Sequence, residues 1–333
     1  MATVSVIATV LNEKENIARL VESLLLQTPP AAEIVVVDGG SCDGTWQWLQ
    51  QAAALHPTLR ILRDESCNLK STPGPISKGR NVAIAASRSE LIACVDAGCR
   101  YEANWLSELT GPLVREESQY VLGGACLDWH DATVWDIASA PFFGVKMTAD
   151  APTKSCTARS MAFTKQLWRK LGGFPETVFF GEDTLFDLEA RRVAQPAFPL
   201  QAKALYRPRN SFASACGQMA RYAASDGVLG VRKSRLMRNA ARCIVEVAAL
   251  ILLPWTWIPL GLVAVMVLHF AFEPDWLFVR TARPHVLAAR LLFSMTVPWI
   301  VTIYRTRGSL TKKQLENPQN TAQTSGTDGM RRF

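Results

Sequence analysis

The chain has 333 residues, which is enough for one large α/β domain with added elements or for two domains. Hydrophobic residues make up 49% and charged residues 20% of it, so a substantial core is available and global disorder is excluded. The net charge of +7 comes from local basic stretches, and it favours an anionic partner for those stretches.

Predicted strands and helices alternate along the N-terminal part of the chain. Apolar runs predict strands at 3–10, 34–37, 59–62 and 91–95, and helical spacing predicts helices at 13–26, 44–54 and 77–87. Such alternation predicts an α/β fold with a mostly parallel sheet and helices on both faces. Farther along, strand-like pieces at 119–125 and 156–163 precede a predicted helix at 181–193.

An acid and two glycines follow the second predicted strand, in the stretch VVVDGGSCDGT at 35–45. The run before them is short and β-branched, which predicts a strand buried on both faces with Asp38 at its carboxyl end. Gly39 and Gly40 permit a sharp turn and leave space beside the backbone. Ligands bind at this edge of open α/β sheets, although an ordinary strand–turn–helix corner has the same pattern.

Three further stretches carry polar side chains with a chemical use. KGRN at 78–81 opens a predicted helix and Asp96 ends the strand after it, whereas GED at 181–183 and QMARY at 218–222 lie farther along. A nucleotide base offers ring N–H donors to an acceptor such as Asp38, and a carboxylate such as Asp96 suits Mg²⁺ or Mn²⁺. Asp183 has the chemistry of a general base, although acids also stabilise a helix N-terminus.

Together these stretches resemble the inverting glycosyltransferases of family 2, which have the GT-A fold. The resemblance rests on SVIATVLNEKENI at 5–17, EIVVVDGGSCDGT at 33–45, KGRNVAIAAS at 78–87, CVDAG at 94–98, GGF at 172–174 and GED at 181–183. These stretches follow the family's order and spacing, and it is their succession that is specific.

The resemblance implies roles for individual residues. It places Thr9, Asn12, Glu13, Asp38, Lys78, Arg80 and Asn81 around the nucleotide, and Gln218, Arg221 and Tyr222 in a reduced Q-x-x-R-W motif that helps to hold the donor diphosphate and the acceptor. Asp96 matches the first acid of the D-x-D metal motif. Asp183 matches the catalytic base of the E-D motif, with Glu182 as the alternative acid.

This chain departs from the family's pattern at three positions. Gly98 replaces the second acid of the D-x-D motif, and Gly39 replaces an acid often found in the opening loop. The first change puts the completeness of the metal site in doubt. Tyr222 stands where processive members have Trp, which argues against a processive polysaccharide synthase.

The C-terminal third has the composition of a membrane region. Val247–Phe272 carries no charged residue and is long enough to cross a bilayer, with a buried soluble helix as the alternative. Leu291–Tyr304 is shorter, and either a second span or a re-entrant or interfacial helix explains it. A basic cluster precedes both runs: Arg232, Lys233, Arg235, Arg238 and Arg242. It favours an anionic lipid surface over nucleic acid, for which no recognition motif is present.

We therefore expect four regions: a cytosolic GT-A domain at 1–212, a basic interfacial segment at 213–243, a membrane region at 244–304 and a disordered polar tail at 305–333. No basic leader precedes the first strand, and the cysteines form no CxxC pair, which favours the cytoplasmic face of the cell membrane.

The expected function is that of a membrane-anchored inverting glycosyltransferase. It moves a sugar from a nucleotide diphosphate sugar to a hydroxyl of a lipid or lipid-linked saccharide, with Mn²⁺ or Mg²⁺ as cofactor and no nucleic-acid partner. A membrane-tethered nucleotide-sugar-binding protein without turnover is the alternative, motivated by Gly98. A nucleotidyltransferase is disfavoured because the chain lacks a Gly-rich, Lys/Arg-bearing phosphate loop near its N-terminus.

Overall fold

The computed structural model describes residues 3–146, 158–252 and 283–316. The chain divides into two compact units, each built from more than one piece of sequence. The first unit comprises Met1–Asp128 and Gly144–Arg207, and the second comprises Trp129–Phe143 and Pro208–Phe333.

The first unit contains two sheets. Its strands are β1 (Val4–Val10), β2 (Glu33–Asp38), β3 (Leu59–Arg63), β4 (Leu91–Cys94), β5 (Cys99–Arg100), β6 (Tyr120–Leu122), β7 (Gly124–Leu127), β8 (Met161–Thr164), β9 (Pro196–Ala197) and β10 (Lys203–Tyr206). The larger sheet has the order β3-β2-β1-β4-β8-β6-β9, and the smaller has the order β5-β10-β7. Strands β1 to β4 are parallel, whereas β8 runs antiparallel to β4 and β6.

In the described part of this unit, six α-helices surround the sheets: α1 (Ile17–Leu25), α2 (Thr45–Leu55), α3 (Pro75–Ala86), α4 (Trp105–Val114), α6 (Lys165–Leu171) and α7 (Glu182–Val193). The predicted α/β class with a mostly parallel sheet is confirmed. Four consecutive residues of β2, Ile34 to Val37, are at most 1% exposed, so this strand is buried on both faces as predicted.

The piece predicted as one strand at 119–125 is two strands in different sheets. Gly123 separates β6 from β7, and its N–H donates to the Ser160 carbonyl at 2.8 Å. A Cβ atom at Gly123 would lie 2.0 Å from both the Ala202 carbonyl oxygen and the Ser160 hydroxyl. Only glycine fits where the chain passes from one sheet to the other.

The second unit is helical in the part that the structure describes. Its helices are α5 (Val134–Ser139), α8 (Phe212–Leu229), α9 (Lys233–Leu252) and α10 (Pro284–Glu316). Aromatic and aliphatic side chains of α5, α8 and α10 form a separate core, in which Phe293 packs against Trp135, Phe142 and Phe212.

Helices α8 and α10 approach each other at two glycines. A Cβ atom at Gly227 would lie 2.2 Å from the Arg305 carbonyl oxygen, and one at Gly308 would lie 2.1 Å from the Ala224 carbonyl oxygen. The two helix backbones therefore touch directly. Any larger side chain at either glycine would force the helices apart.

The structure corrects one predicted boundary and leaves another outside the described residues. Residues 305–316 were predicted as part of a disordered tail, but they are the last turns of α10, since Gly308 and Ser309 pack against α8. Of the predicted run at 247–272, residues 253–272 lie outside the described part of the chain. Within that part, one helix, Pro284–Lys312, is long and apolar enough to cross a membrane by length and composition.

Candidate active site

The loops after β1 and β2 are joined by hydrogen bonds at the carboxyl edge of the sheet. The N–H of Asn12 donates to the Ser41 hydroxyl at 2.8 Å, and the N–H of Glu13 donates to the Thr45 hydroxyl at 2.9 Å. The N–H of Cys42 donates back to the Asn12 amide oxygen at 2.9 Å. Hydrogen bonds between backbone N–H groups and polar side chains thus hold the two loops together, and the loops form a preorganised edge around Asp38.

Asp38 is fully buried, and its two carboxylate oxygens differ in their partners. Its Oδ1 accepts from the N–H groups of Gly40 and Ser41, both at 2.8 Å. Its Oδ2 is buried and has no hydrogen-bond partner among the residues that the structure describes. An unpaired buried acceptor costs roughly 1–3 kcal/mol, so this atom is suited to receive a donor from a ligand.

Thr9 lies on β1 opposite Val37 and is half-buried. The ideal Cβ position of Gly79 is 2.1 Å from its hydroxyl, so α3 packs directly on this strand. This packing brings the N-terminal half of α3, with Lys78 and Arg80, to the same edge of the sheet. Among the described residues Lys78 has no side-chain hydrogen bond or ion pair, whereas Arg80 is the centre of a network.

Arg80 joins two acids from different elements. Its guanidinium donates to Glu182 Oε1 at 2.7 Å and to Asp96 Oδ1 at 2.9 Å, and it lies 5.5 Å from the ring centre of Phe174. The Arg80 and Glu182 side chains are 4% and 8% exposed, whereas that of Asp96 is 36% exposed. One buried cation therefore fixes the acid after β4 relative to the first turn of α7.

Burial and neighbouring charges shift the pKa values of Arg80 and Glu182 in opposite directions. Burial alone would lower the pKa of Arg80, but Asp96 and Glu182 outweigh it and the pKa is raised. Burial raises the pKa of Glu182 to about 7, since Asp183 adds to the rise and the opposing effect of Arg80 is smaller. Arg80 is thus charged throughout, and Glu182 titrates near neutrality.

Asp183 differs from its neighbour in exposure and in partners. Gly181, with φ of 81°, precedes α7, and Asp183 lies in the first turn with its side chain partly exposed. Its Oδ1 accepts from the N–H of Thr184 at 2.7 Å, and its Oδ2 accepts from the N–H of Ala158 at 3.4 Å. Asp183 is therefore partly exposed, whereas Glu182 is buried against Arg80.

Arg159 is a site residue that the sequence did not reveal. Its Nε lies 3.9 Å from Asp96 Oδ2, and its guanidinium lies 4.1 Å from the ring centre of Tyr206. The Tyr101 hydroxyl donates to the Arg159 carbonyl at 2.7 Å, which fixes the backbone there. In the sequence, Arg159 is marked only by its position two residues before the apolar run in TARSMAFT, which is weak evidence of a functional role.

Asn81 holds the GGF loop. Its amide oxygen accepts from the Phe174 N–H at 2.8 Å and from Trp168 Nε1 at 3.1 Å. Its amide nitrogen donates to the Phe174 carbonyl at 2.9 Å and to Glu176 Oε1 at 2.8 Å. The predicted nucleotide contact of Asn81 thus competes with four hydrogen bonds to three residues.

The QMARY stretch lies on α8, in the second unit, and carries the predicted site residues Gln218, Arg221 and Tyr222. The Gln218 amide oxygen accepts from Arg209 Nε at 2.7 Å, and its nitrogen donates to the Tyr222 hydroxyl at 2.8 Å. Arg221 is partly exposed on the same helix. The structure groups Gln218 with Tyr222, and the role of the motif at a donor diphosphate stays a prediction.

The donor set at Asp96 fits a cation with few protein ligands. No group of three or more His, Cys, Asp or Glu side chains placed to hold a metal occurs in the described residues. Asp96 keeps one oxygen, Oδ2, beyond hydrogen-bond distance of Arg159. Mg²⁺-like cations are often held by one or two carboxylates with substrate phosphates and water, so Asp96 fits as one such ligand.

Comparison with known proteins identifies a family for the N-terminal part of the chain. Residues 5–143 match the model of Glycosyl transferase family 2. This match confirms the predicted family for that range, which contains the opening loop, KGRN and Asp96.

Two curated relatives carry glycosyltransferase names. The chain is 28% identical over 192 residues to the glycosyltransferase AglE of Haloferax volcanii, a match that covers 54% of this chain and 58% of the relative. It is 24% identical over 120 residues to the glycosyltransferase GlyG of Streptococcus pneumoniae, covering 36% and 38%. The matches thus span little more than half of one relative and less of the other.

A solved structure shares the fold of this chain. The mannosyltransferase PcManGT from Pyrobaculum calidifontis, in complex with GDP-Man and Mn²⁺, superposes with a TM-score of 0.56 at 18% identity. The likeness covers 94% of this chain and 88% of that protein. The predicted GT-A fold of the family 2 domain is confirmed.

Proposed function

We propose that this chain is an inverting glycosyltransferase that moves a sugar from a nucleotide diphosphate sugar to a hydroxyl acceptor. One observation carries the proposal: the buried guanidinium of Arg80 joins Asp96, after β4, to Glu182, beside the partly exposed Asp183. A cation ligand from the part of the chain that matches the family is thereby held beside a candidate base.

Asp183 is the base in this proposal, and Glu182 positions Arg80. Asp183 accepts the proton of the acceptor hydroxyl as the acceptor oxygen bonds to the anomeric carbon, while the bond from that carbon to the diphosphate breaks. The nucleoside diphosphate leaves with the electron pair, and the configuration at the anomeric carbon inverts. Partial exposure of Asp183 supports this role, because the acceptor must reach it.

Asp96 and Arg159 serve the donor diphosphate. Asp96 would hold a divalent cation through its carboxylate. When bound, the cation would supply positive charge that stabilises the leaving diphosphate. Arg159 adds a fixed positive charge beside Asp96, and stacking on Tyr206 keeps its guanidinium in place.

Asp38 selects the nucleotide base through its unpaired Oδ2, which accepts a ring N–H. A base without a donor at that point leaves the buried oxygen unpaired, so the site discriminates against it. Thr9, Asn12, Glu13 and Lys78 line the same edge in this proposal, and the divalent cation is Mn²⁺ or Mg²⁺.

The acceptor in this proposal is a lipid or lipid-linked saccharide at the cytoplasmic face of the membrane. The apolar helix Pro284–Lys312 and the basic stretch that begins at Arg232 support it, since both favour contact with an anionic bilayer. In this proposal the catalytic domain extends to about residue 212, the interfacial segment covers 213–243, and the membrane region, predicted at 244–304, continues to the end of the apolar helix at Lys312.

The test is transfer from a panel of radiolabelled nucleotide sugars, with and without Mn²⁺, in membranes that contain the chain. Label in the lipid extract that is lost with Asp183→Asn supports the proposal. Saturable donor binding without transfer or hydrolysis for any donor would instead support the nucleotide-sugar-binding alternative that Gly98 raises.

A further inference from the structure

Three arginines surround one buried carboxylate in the second unit. Asp226, on α8, is 5% exposed. Its Oδ1 lies 3.0 Å from Arg232 Nη1, and its Oδ2 lies 3.7 Å from Arg235 Nη1 and 3.8 Å from Arg305 Nη1. The arginines come from the α8–α9 turn, from α9 and from α10, so the three elements converge on this point.

Among the described residues, three guanidinium groups of this cluster face a single carboxylate, that of Asp226. Burial lowers the pKa of Arg235, and Arg232 and Arg305 lower it further against the opposing effect of Asp226. The arrangement therefore has the electrostatics of an anion site.

Arg305 supplies buried donors that the described residues leave without an acceptor. Its side chain is 3% exposed, and its Nη2 donates to the Val231 carbonyl. Its Nε and Nη1 have no hydrogen-bond partner in the described part of the chain. Unpaired buried N–H groups of a cation are costly, and a phosphate accepts several such bonds in a geometry that matches the guanidinium fork.

We propose that Arg232, Arg235 and Arg305 form a binding site for the phosphate group of an anionic lipid. Asp226 orients the three guanidinium groups, and a phosphate enters from the side of Arg232 and Arg235, whose side chains are 44% and 25% exposed. Arg305 lies near the C-terminal end of the apolar helix, where a lipid headgroup meets a spanning segment. The site goes beyond the proposed sugar transfer and does not depend on it.

The test uses the purified full chain in neutral detergent and titration calorimetry. The probes are short-chain phosphatidic acid below its micelle concentration, short-chain phosphatidylcholine and inorganic phosphate. Phosphatidic acid is expected to bind most tightly, and Arg232→Gln and Arg305→Gln are each expected to weaken it roughly tenfold. Arg307→Gln is the matched control, because Arg307 is exposed on the same helix and the charge change is identical.

Three results would overturn the proposal: no binding of phosphatidic acid, equal weakening by Arg305→Gln and Arg307→Gln, or inorganic phosphate binding as tightly as the lipid. The last would mean that free phosphate, and not a headgroup, is the ligand. Arg232→Gln decides the outcome if Arg305→Gln does not fold, because the Arg232 side chain is largely exposed. No sugar donor is present, so the result is independent of the proposed transferase activity.

Discussion

Arg80 and Glu182 lie 102 positions apart in the sequence, and their side chains share a buried hydrogen bond of 2.7 Å. Because Arg80 also donates a hydrogen bond to Asp96, the positions of two acids at the edge of the sheet depend on this one side chain.

Replacing Arg80 should therefore lower both stability and activity. Arg80→Met leaves a buried acid without its partner, and we expect a loss of about 3–5 kcal/mol in the free energy of unfolding, measured by denaturant titration. Arg88→Met is the control, since Arg88 is exposed just beyond the same helix and should change little. Adding Glu182→Met to Arg80→Met should recover part of the stability but no activity. Equal stabilities of Arg80→Met and Arg88→Met would contradict the network.

Asp183 and Glu182 should differ in kinetics. Asp183→Asn keeps the shape of the side chain but removes its basicity, and we expect kcat to fall by about 10²–10⁴-fold with donor binding nearly unchanged. Glu182→Gln keeps a hydrogen-bond acceptor for Arg80 and should cost less. If Glu182→Gln were the more damaging change at equal folding, the base would be Glu182.

Gly98 offers a direct test of the metal site. A Cβ atom there would lie 3.5 Å from Cε2 of Tyr206, an ordinary contact, so an aspartate fits. We expect Gly98→Asp to lower the Mn²⁺ concentration for half-maximal activity by roughly tenfold, because it adds a second carboxylate. Gly98→Asn is the control, because Asn has nearly the same size as Asp but carries no negative charge. An identical metal response in both variants would show that position 98 does not face the cation.

Asp38 should affect donor affinity more than turnover. Asp38→Asn retains an acceptor for the Gly40 and Ser41 N–H groups but turns an N–H toward the space beside Oδ2. We expect the donor KM to rise roughly 10- to 100-fold with kcat little changed. Asp43→Asn, in the same loop, is the control, and an effect of equal size there would assign Asp38 to loop structure alone.

The stability of the protein should depend on pH through Glu182. Burial raises its pKa from 4.5 to about 7, so between these values the folded chain holds a proton that the unfolded chain has released. This contribution is complete below pH 4.5 and is lost as the pH rises through about 7. Stability should fall across that window with a slope of at most about 1.4 kcal/mol per pH unit, and Glu182→Gln should remove the slope. Unfolding titrations at several pH values measure it, and equal slopes in both proteins would be inconsistent with a buried Glu182.

Local sequence predicts the parts of the site that are set by local geometry. Asp38 and Asp96 could be placed at strand ends because a short β-branched run is bounded by its own polar neighbours. The pairing of Arg80 with Glu182 could not be predicted from local sequence, since it depends on how α7 packs against α3. Arg159 could not be predicted for the same reason, because its partners Asp96 and Tyr206 are distant in sequence.

The C-terminal extent of α10 was also not predicted. The residues beyond Arg305 are mostly polar, and this composition gives no indication of the face that packs on α8.

The contact of α8 with α10 at Gly227 and Gly308 has a mechanical consequence. With no side chain between the two backbones, neither helix can slide or rotate without carrying the other. A change in the tilt or depth of α10 would therefore move α8 as well. The hydrogen-bonded pair of Gln218 and Tyr222 lies on α8, so in the proposed membrane setting bilayer thickness would affect the position of these two side chains.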